Sequence, residues 1–142
     1  MVVVLAVVAL GGCATDRSTP AELLVEVVAV GGMCPTAECR AVTTVDRAGT
    51  WTVANEDGSA STGTLPAGLL TELATEVDGT APGSLTVTPF TGECERNMDG
   101  TEWILTLLPG SDAEQRVSTC EHVIPDVRLM RVLEAVREET RA

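Results

Sequence analysis

A wholly apolar run near the start of the chain limits which residues can belong to the folded domain. Residues 2–10 read VVVLAVVAL and are followed by Gly11, Gly12 and then a polar stretch. A membrane-spanning helix needs about 20 apolar residues, whereas the apolar core of an export signal needs only about 7 to 15. The run therefore predicts a targeting segment. The alternative, a buried first strand, fits poorly with the abrupt change to polar residues.

The tetrad Leu10-Gly11-Gly12-Cys13 resembles the lipobox of bacterial lipoproteins, in which small residues precede a cysteine. This resemblance implies that residues 1–12 are a lipoprotein signal peptide and that Cys13 becomes the lipidated first residue of the mature protein. A diacylglycerol group anchors durably, because each buried methylene contributes about 0.8 kcal/mol.

The same resemblance divides the rest of the chain. Residues 13–21 would be the lipidated cysteine with a short tether, and residues 22–142 a single domain on the extracytoplasmic face of the cell membrane. No Lys or Arg precedes the apolar run, although export signals carry a positive first region. We therefore expect that Met1 is not the true start, or that the sequence is truncated, and that Arg or Lys codons lie in frame upstream.

Composition limits the remaining possibilities. The 142 residues suit one domain, and an apolar fraction of 44% is too high for a disordered chain. A net charge of −12 repels phosphate backbones, so we expect no nucleic-acid partner. Only 2% of the residues are aromatic, so the core must be built from aliphatic side chains.

Alternating and β-branched segments predict a set of strands that pair in part as hairpins. The turn around Gly49 joins two of them, with Trp51 and Val53 on one face. The turn Pro109–Asp112 joins another two, and pairing Leu108 with Glu114 brings Glu102 opposite Cys120. The predicted strands are 22–30, 40–46, 50–55, 84–90, 102–108 and 114–120.

Two helices are predicted from apolar residues at helical spacing. The first begins at Pro66 and ends at Gly79, and the second begins at Pro125. Their apolar stripes are Leu69, Leu70, Leu73 and Val77 in the first helix, and Leu129, Val132, Leu133 and Val136 in the second. The predicted fold class is α+β, an antiparallel sheet with two helices packed on one side.

The cysteines other than Cys13 number four, and an even count in an exported chain favours two disulfides with three possible connectivities. Cys34 and Cys39 bracket a short turn, so they can face each other across its base. Cys120 ends the second hairpin, and the loop after Cys94 can return to the same end. We therefore favour the pairs Cys34–Cys39 and Cys94–Cys120.

Other chemistry was weighed against these structural interpretations. Zinc could take the four cysteines together with His122, but their spacing lacks the usual two-residue knuckle, and we expect no metal and no cofactor. His122 is the only histidine and has no nucleophile motif near it, so we expect no catalytic residues. The acidic residues Glu93, Glu95, Asp99 and Glu102 suit a solvated loop better than a calcium loop. Trp51 and Trp103 could form a sugar platform, but alternating strands favour core packing.

Two family resemblances concern the domain, and the first covers most of residues 22–138. The segment GGMCPTAEC at 31–39, a Leu-rich helix and the late Cys94 and Cys120 together look like uncharacterised bacterial envelope domains, and in outline like emfourin-type metalloprotease inhibitors. Met33-Cys34-Pro35 and the segment 90–97 look like pieces of subtilisin-inhibitor-like proteins. An inserted helix separates those pieces, so no reactive bond is carried over.

These observations predict a lipid-anchored binding or structural domain that is not an enzyme. Its expected partners are the membrane, through the anchor, and an envelope protein or protease that the sequence does not identify. The alternative is a protease inhibitor that presents the loop from Cys34 to Cys39, because a constrained loop loses little entropy on binding.

The lipid anchor makes a direct prediction. We expect Cys13→Ser to abolish membrane retention, because only the thiol can accept the diacylglyceryl group. Fractionation of cells that express each form would measure it. Unchanged sedimentation of the variant with the membranes would contradict the lipoprotein hypothesis.

Overall fold

The computed structural model of the protein describes residues 22–32, 39–80 and 85–141. Its strands are β1 Leu23–Gly31, β2 Arg40–Asp46, β3 Thr50–Asn55, β4 Ala60–Thr64, β5 Thr88–Pro89, β6 Thr101–Leu107, β7 Gln115–Ser118 and β8 His122–Val123. Its helices are α1 Ala67–Gly79 and α2 Val127–Thr140, with a short 3-10 helix at Glu95–Met98. The predicted lipobox and Cys13 lie outside the described residues.

An antiparallel six-stranded sheet in the order β4-β3-β2-β1-β6-β7 forms the centre of the domain, and β5 pairs with β8 in a separate two-stranded sheet. The α+β prediction is confirmed, as are both hairpins. In the second hairpin Leu107 faces Gln115 and Ile104 faces Ser118, which is the predicted register. The first strand of the domain therefore lies in the middle, between β2 and β6.

One face of the sheet packs against both helices. Val25 of β1 pairs with Val45 on one side and Leu107 on the other, and none of the three is more than 1% exposed. Leu73 of α1 and Leu129 of α2 belong to the same buried cluster. Trp51 and Val53 also face this cluster, as the alternation predicted. The core is therefore aliphatic apart from one indole.

The residue before each helix explains where that helix begins. Pro66 precedes α1 and Asp126 caps α2, where the Asp126 carboxylate accepts hydrogen bonds from the amides of Arg128 and Leu129 at 3.0 Å. Such a cap satisfies amide groups that no helical carbonyl can reach. The predicted stripes are buried at Leu73, Val77, Leu129, Val132 and Val136, while Leu69, Leu70 and Leu133 are partly buried.

The prediction of a strand at 84–90 is wrong in length, because only Thr88 and Pro89 pair, with β8. Proline has no amide hydrogen to extend a ladder, which helps to keep this pairing short. The strand predicted at 114–120 also ends early, at Ser118, before a turn that carries Cys120.

Strand β4 was not predicted, because its sequence ASTGT has no apolar alternation. It pairs along β3 with Gly63 opposite Trp51. A side chain at position 63 would overlap the Trp51 ring, so glycine lets the indole pack flat over the edge strand. This strand is therefore specified by a tertiary contact, which cannot be recognised from its local composition.

An ion pair network joins the turn between β2 and β3 to α1. The Arg47 guanidinium contacts both carboxylate oxygens of Asp78 at 2.8 and 3.0 Å, and its Nε lies 3.0 Å from Glu22. The bidentate hydrogen bond from Arg47 lowers the pKa of the Asp78 carboxyl, and the same bond is the main reason that the pKa of Arg47 is raised. The network fixes one end of α1 against the sheet.

This network predicts a pH-dependent contribution to stability. A carboxyl whose pKa is lower in the folded state stabilises the fold above its unfolded pKa, near 4, and that contribution is lost as the pH falls through the folded value. Because Asp78 is half exposed, we expect Asp78→Asn to lower the free energy of unfolding by less than about 1 kcal/mol at pH 7.

Urea unfolding at pH 7 and pH 2.5 would measure the effect, with Glu72→Gln on the exposed side of α1 as the control. The difference between wild type and Asp78→Asn should shrink at the lower pH. An equal difference at both pH values would show that the Asp78 charge is not what stabilises the contact.

Candidate functional site

An apolar cleft of about 200 Å3 lies between the sheet and α2. Its floor comes from neighbouring strands, with Val27 of β1 paired to Thr43 of β2 and to Leu105 of β6. The wall opposite includes Leu133 and Arg137 of α2. The cleft therefore follows the cross-strand row of Thr43, Val27 and Leu105. This row lies next to the buried row that contains Val25.

Small residues continue the same sheet face beyond this row. Ala29 of β1 pairs with Ala41 on one side and with Trp103 on the other. The two alanines line a second, more open groove of about 670 Å3, and Trp103 lines both the cleft and this groove. Large side chains fill the sheet face near the core, and small ones leave it open toward the strand ends.

Trp103 and Arg137 lie against each other at the edge of the cleft. The guanidinium carbon of Arg137 lies 5.2 Å from the centre of the Trp103 ring, a distance typical of a cation–π contact. Arg137 also forms an ion pair with Glu134, one turn earlier on α2. Its Nε is buried and has no hydrogen-bond acceptor among the residues that the structure describes.

Hydrogen bonds to Thr119 fix the backbone at Trp103. The Trp103 amide donates to the Thr119 hydroxyl at 3.0 Å, and the Thr119 amide donates to the Trp103 carbonyl at 2.9 Å. These bonds extend the pairing of β6 and β7 past the end of β7. The expectation of core packing holds for Trp51, which is 8% exposed, but is wrong for Trp103, which is half-buried and lines the cleft.

The open groove is lined by charged residues of both signs, Glu56 and Asp57 together with Arg40 and Arg141. Asp57 in the turn between β3 and β4 accepts hydrogen bonds from the hydroxyl and the amide of Ser59 at 2.6 and 2.8 Å. These two bonds lower the pKa of the Asp57 carboxyl. The turn is thereby ordered by local bonds, and its charge faces solvent.

The predicted disulfide Cys94–Cys120 is present, with 4.8 Å between the Cα atoms and 26 residues of sequence separation. It joins the residue before the 3-10 helix to the turn after β7. Because β7 and β6 already share a hairpin, the bond fastens the connection before β6 to the end of the same hairpin. Both sulfurs lie close to the Glu102 carboxylate of β6.

Cys94 and Cys120 also lie with Glu102 in a group whose ligand atoms are within 4.8 Å of one another. The two sulfurs are bonded to each other, so neither is a thiolate that could bind zinc. Glu102 already accepts a hydrogen bond from Ser118 at 2.7 Å and pairs with Arg96 at 3.4 Å. The Glu102 carboxylate in this group is therefore already engaged by Ser118 and Arg96.

The other predicted site residues are not brought together. Cys34 lies outside the described residues, while Cys39 directly precedes β2, where its carbonyl accepts a hydrogen bond from the Gly31 amide at 2.9 Å. His122 lies in β8 opposite Pro89 and does not line the cleft. The bond Cys34–Cys39 stays a prediction.

The sequence reasoning missed the cleft. The signal available was a second stripe on α2, next to the apolar one, in which Met130, Leu133, Glu134 and Arg137 follow one another at helical spacing. An apolar pair continued by an ion pair on one helix face is ambiguous, because solvated helix faces carry the same pattern. Only the position of Trp103 distinguishes a helix face that lines a cleft from a solvated one.

Comparisons with known proteins give no guide to this site. No protein-family model matches the chain, and no match is found among curated proteins or solved structures. Within the described residues, neither helix has the length and apolar character needed to cross a membrane.

The observed bond Cys94–Cys120 and the predicted bond Cys34–Cys39 give a ranked prediction. In the chain-entropy model a bond contributes more when it closes a longer loop, so we expect a loss of about 3 to 4 kcal/mol for Cys120→Ala and of about 2 for Cys39→Ala. Peptide mapping without reduction would first establish the pairs, and denaturant midpoints would then rank the variants. A larger loss for Cys39→Ala would show that its loop does more than restrict the unfolded chain.

Proposed function

We propose that this protein is a lipid-anchored, extracytoplasmic binding domain without catalytic activity, and that the cleft between the sheet and α2 is its ligand site. The observation that carries the proposal is a mostly apolar lining beside which the Arg137 guanidinium lies over the Trp103 ring. Ligand sites in proteins commonly combine an apolar lining with a few placed polar groups.

The size of the cleft supports a small ligand. A closed apolar cavity of about 150 Å3 is large enough to hold benzene. The cleft has about 200 Å3 and opens to solvent beside Met130, which is 40% exposed. A single ring or a short alkyl chain with one polar group therefore fits its dimensions.

The chemistry of the lining supports binding rather than catalysis. The ionisable groups that line the cleft, Glu134 and Arg137, are paired with each other. Among the residues that the structure describes, neither a histidine nor a cysteine lines the cleft, so they do not assemble a nucleophile with an adjacent base there. The proposed role is to hold a molecule and not to transform it.

The proposed location follows from the cysteines. The tetrad ending at Cys13 supports attachment to the membrane, and the bond Cys94–Cys120 suits an oxidising compartment. We propose that Cys34 pairs with Cys39 as a second disulfide. The hydrogen bond from Gly31 to Cys39 supports this pairing, because it brings the two ends of the short intervening loop together.

The cleft can be tested with benzene as an apolar probe. The two tryptophans each give one indole N–H signal in a nitrogen–proton NMR spectrum. We expect benzene to shift the signal of Trp103 and to leave that of Trp51, which is buried in the core. Thr43→Leu should abolish the shift by filling the floor.

Thr44→Leu is the matched control, because Thr44 pairs with Glu26 on the opposite face of the same strand. It should leave the response of Trp103 intact. If benzene shifts neither indole, or if both leucine variants behave alike, the cleft is not a ligand site.

A second candidate is a protease inhibitor that presents the loop between Cys34 and Cys39. The observation that favours it is the fixed base of that loop, where β1 and β2 are paired as far as Val30 and Arg40. Inhibition assays against secreted serine proteases and metalloproteases would test it. Inhibition that is lost in Cys39→Ala and kept in Thr43→Leu would favour the loop over the cleft.

A further inference from the structure

The described residues of the cleft give the Nε of Arg137 no hydrogen-bond partner. It is a buried N–H donor with no acceptor among the described residues. An unpaired buried donor is unfavourable, and such groups in folded proteins are nearly always satisfied by some partner. A ligand in the cleft can supply the missing acceptor, because Arg137 lines it.

The position of the donor defines where that acceptor must lie. The guanidinium lies over the Trp103 ring, whose strand is fixed by the bonds to Thr119. The floor beside it is apolar at Val27 and Leu105. A ligand that reaches Nε with an oxygen atom would therefore place the rest of its body on an apolar surface.

The charge of the cleft decides what kind of oxygen it is. The positive charge of Arg137 is already compensated by Glu134, which lines the same cleft. A ligand carboxylate would meet the Glu134 carboxylate, and like charges at short range repel. The carbonyl of a neutral molecule accepts the Nε hydrogen without that repulsion.

We infer that the cleft binds a small neutral carbonyl compound with a compact apolar body, of the ketone, ester or amide class, whose oxygen accepts a hydrogen bond from Arg137 Nε. This inference rests on the proposed function of the cleft as a ligand site. It adds the chemical class of the ligand and gives Arg137 the role of the residue that determines specificity.

Three probes of nearly equal shape test the class. Acetophenone carries a neutral carbonyl, ethylbenzene has no acceptor, and benzoate carries a negative charge. Titration of the purified full chain, followed by the indole signal of Trp103, should give acetophenone an affinity about tenfold higher than that of ethylbenzene. Benzoate should bind more weakly than acetophenone.

The variant Arg137→Met keeps an apolar stem over Trp103 and removes the donor. It should reduce the ratio between acetophenone and ethylbenzene to about one, while Arg131→Met, at an exposed position of the same helix, should leave the ratio unchanged. The unshifted indole signal of Trp51 shows that each variant is folded. The order of the three probes in the wild-type protein tests the inference even if a variant fails to fold.

The outcomes separate this inference from the proposed function. Equal binding of acetophenone and ethylbenzene, or tightest binding of benzoate, would overturn the carbonyl class and leave the cleft as a ligand site. A preference for acetophenone that persists in Arg137→Met would overturn the role of Nε. If none of the three probes shifts Trp103, the inference and the ligand site are both wrong.

Discussion

The antiparallel pairing of β1 with β6 is the interaction on which the rest of this structure depends. The strands β1 to β4 and α1 come from the first half of the described chain, and β6, β7 and α2 come from the second. The two sets of strands meet where Val25 pairs with Leu107 and Val27 with Leu105. Without this ladder neither hairpin would have a covered face, because both helices pack against the side chains that it brings together.

Much of this fold could be predicted because its signals are local. Gly49 and the turn Pro109–Asp112 mark the hairpins, and the register of the second follows from counting back from that turn. The pair Cys94–Cys120 could be predicted from the same count. Strand β4 could not, since Gly63 has meaning only once the Trp51 ring lies over it.

The cleft was hidden for a related reason. Trp103 alternates correctly for a core residue, but its neighbours across β1 are the small side chains of Ala29 and Ala41, so helix and sheet do not close over it. Alternation along a strand predicts which face of the sheet a side chain occupies. It does not predict the size of the side chains on the neighbouring strands. Arg137 likewise resembles a solvated helix residue until its Nε is found buried. A cleft that forms because small side chains lie opposite one another is difficult to predict from the local sequence pattern.

The central place of the first strand has a consequence for the order in which the domain can form. A chain emerges from its amino-terminal end, so β1 appears first, and β2 can pair with it soon afterwards. Its other edge must wait for β6, which begins only at Thr101. Contacts between segments far apart in sequence form slowly, and an unpaired strand edge is open to wrong partners in the meantime. A partly emerged chain therefore cannot complete the central sheet until most of its length is free.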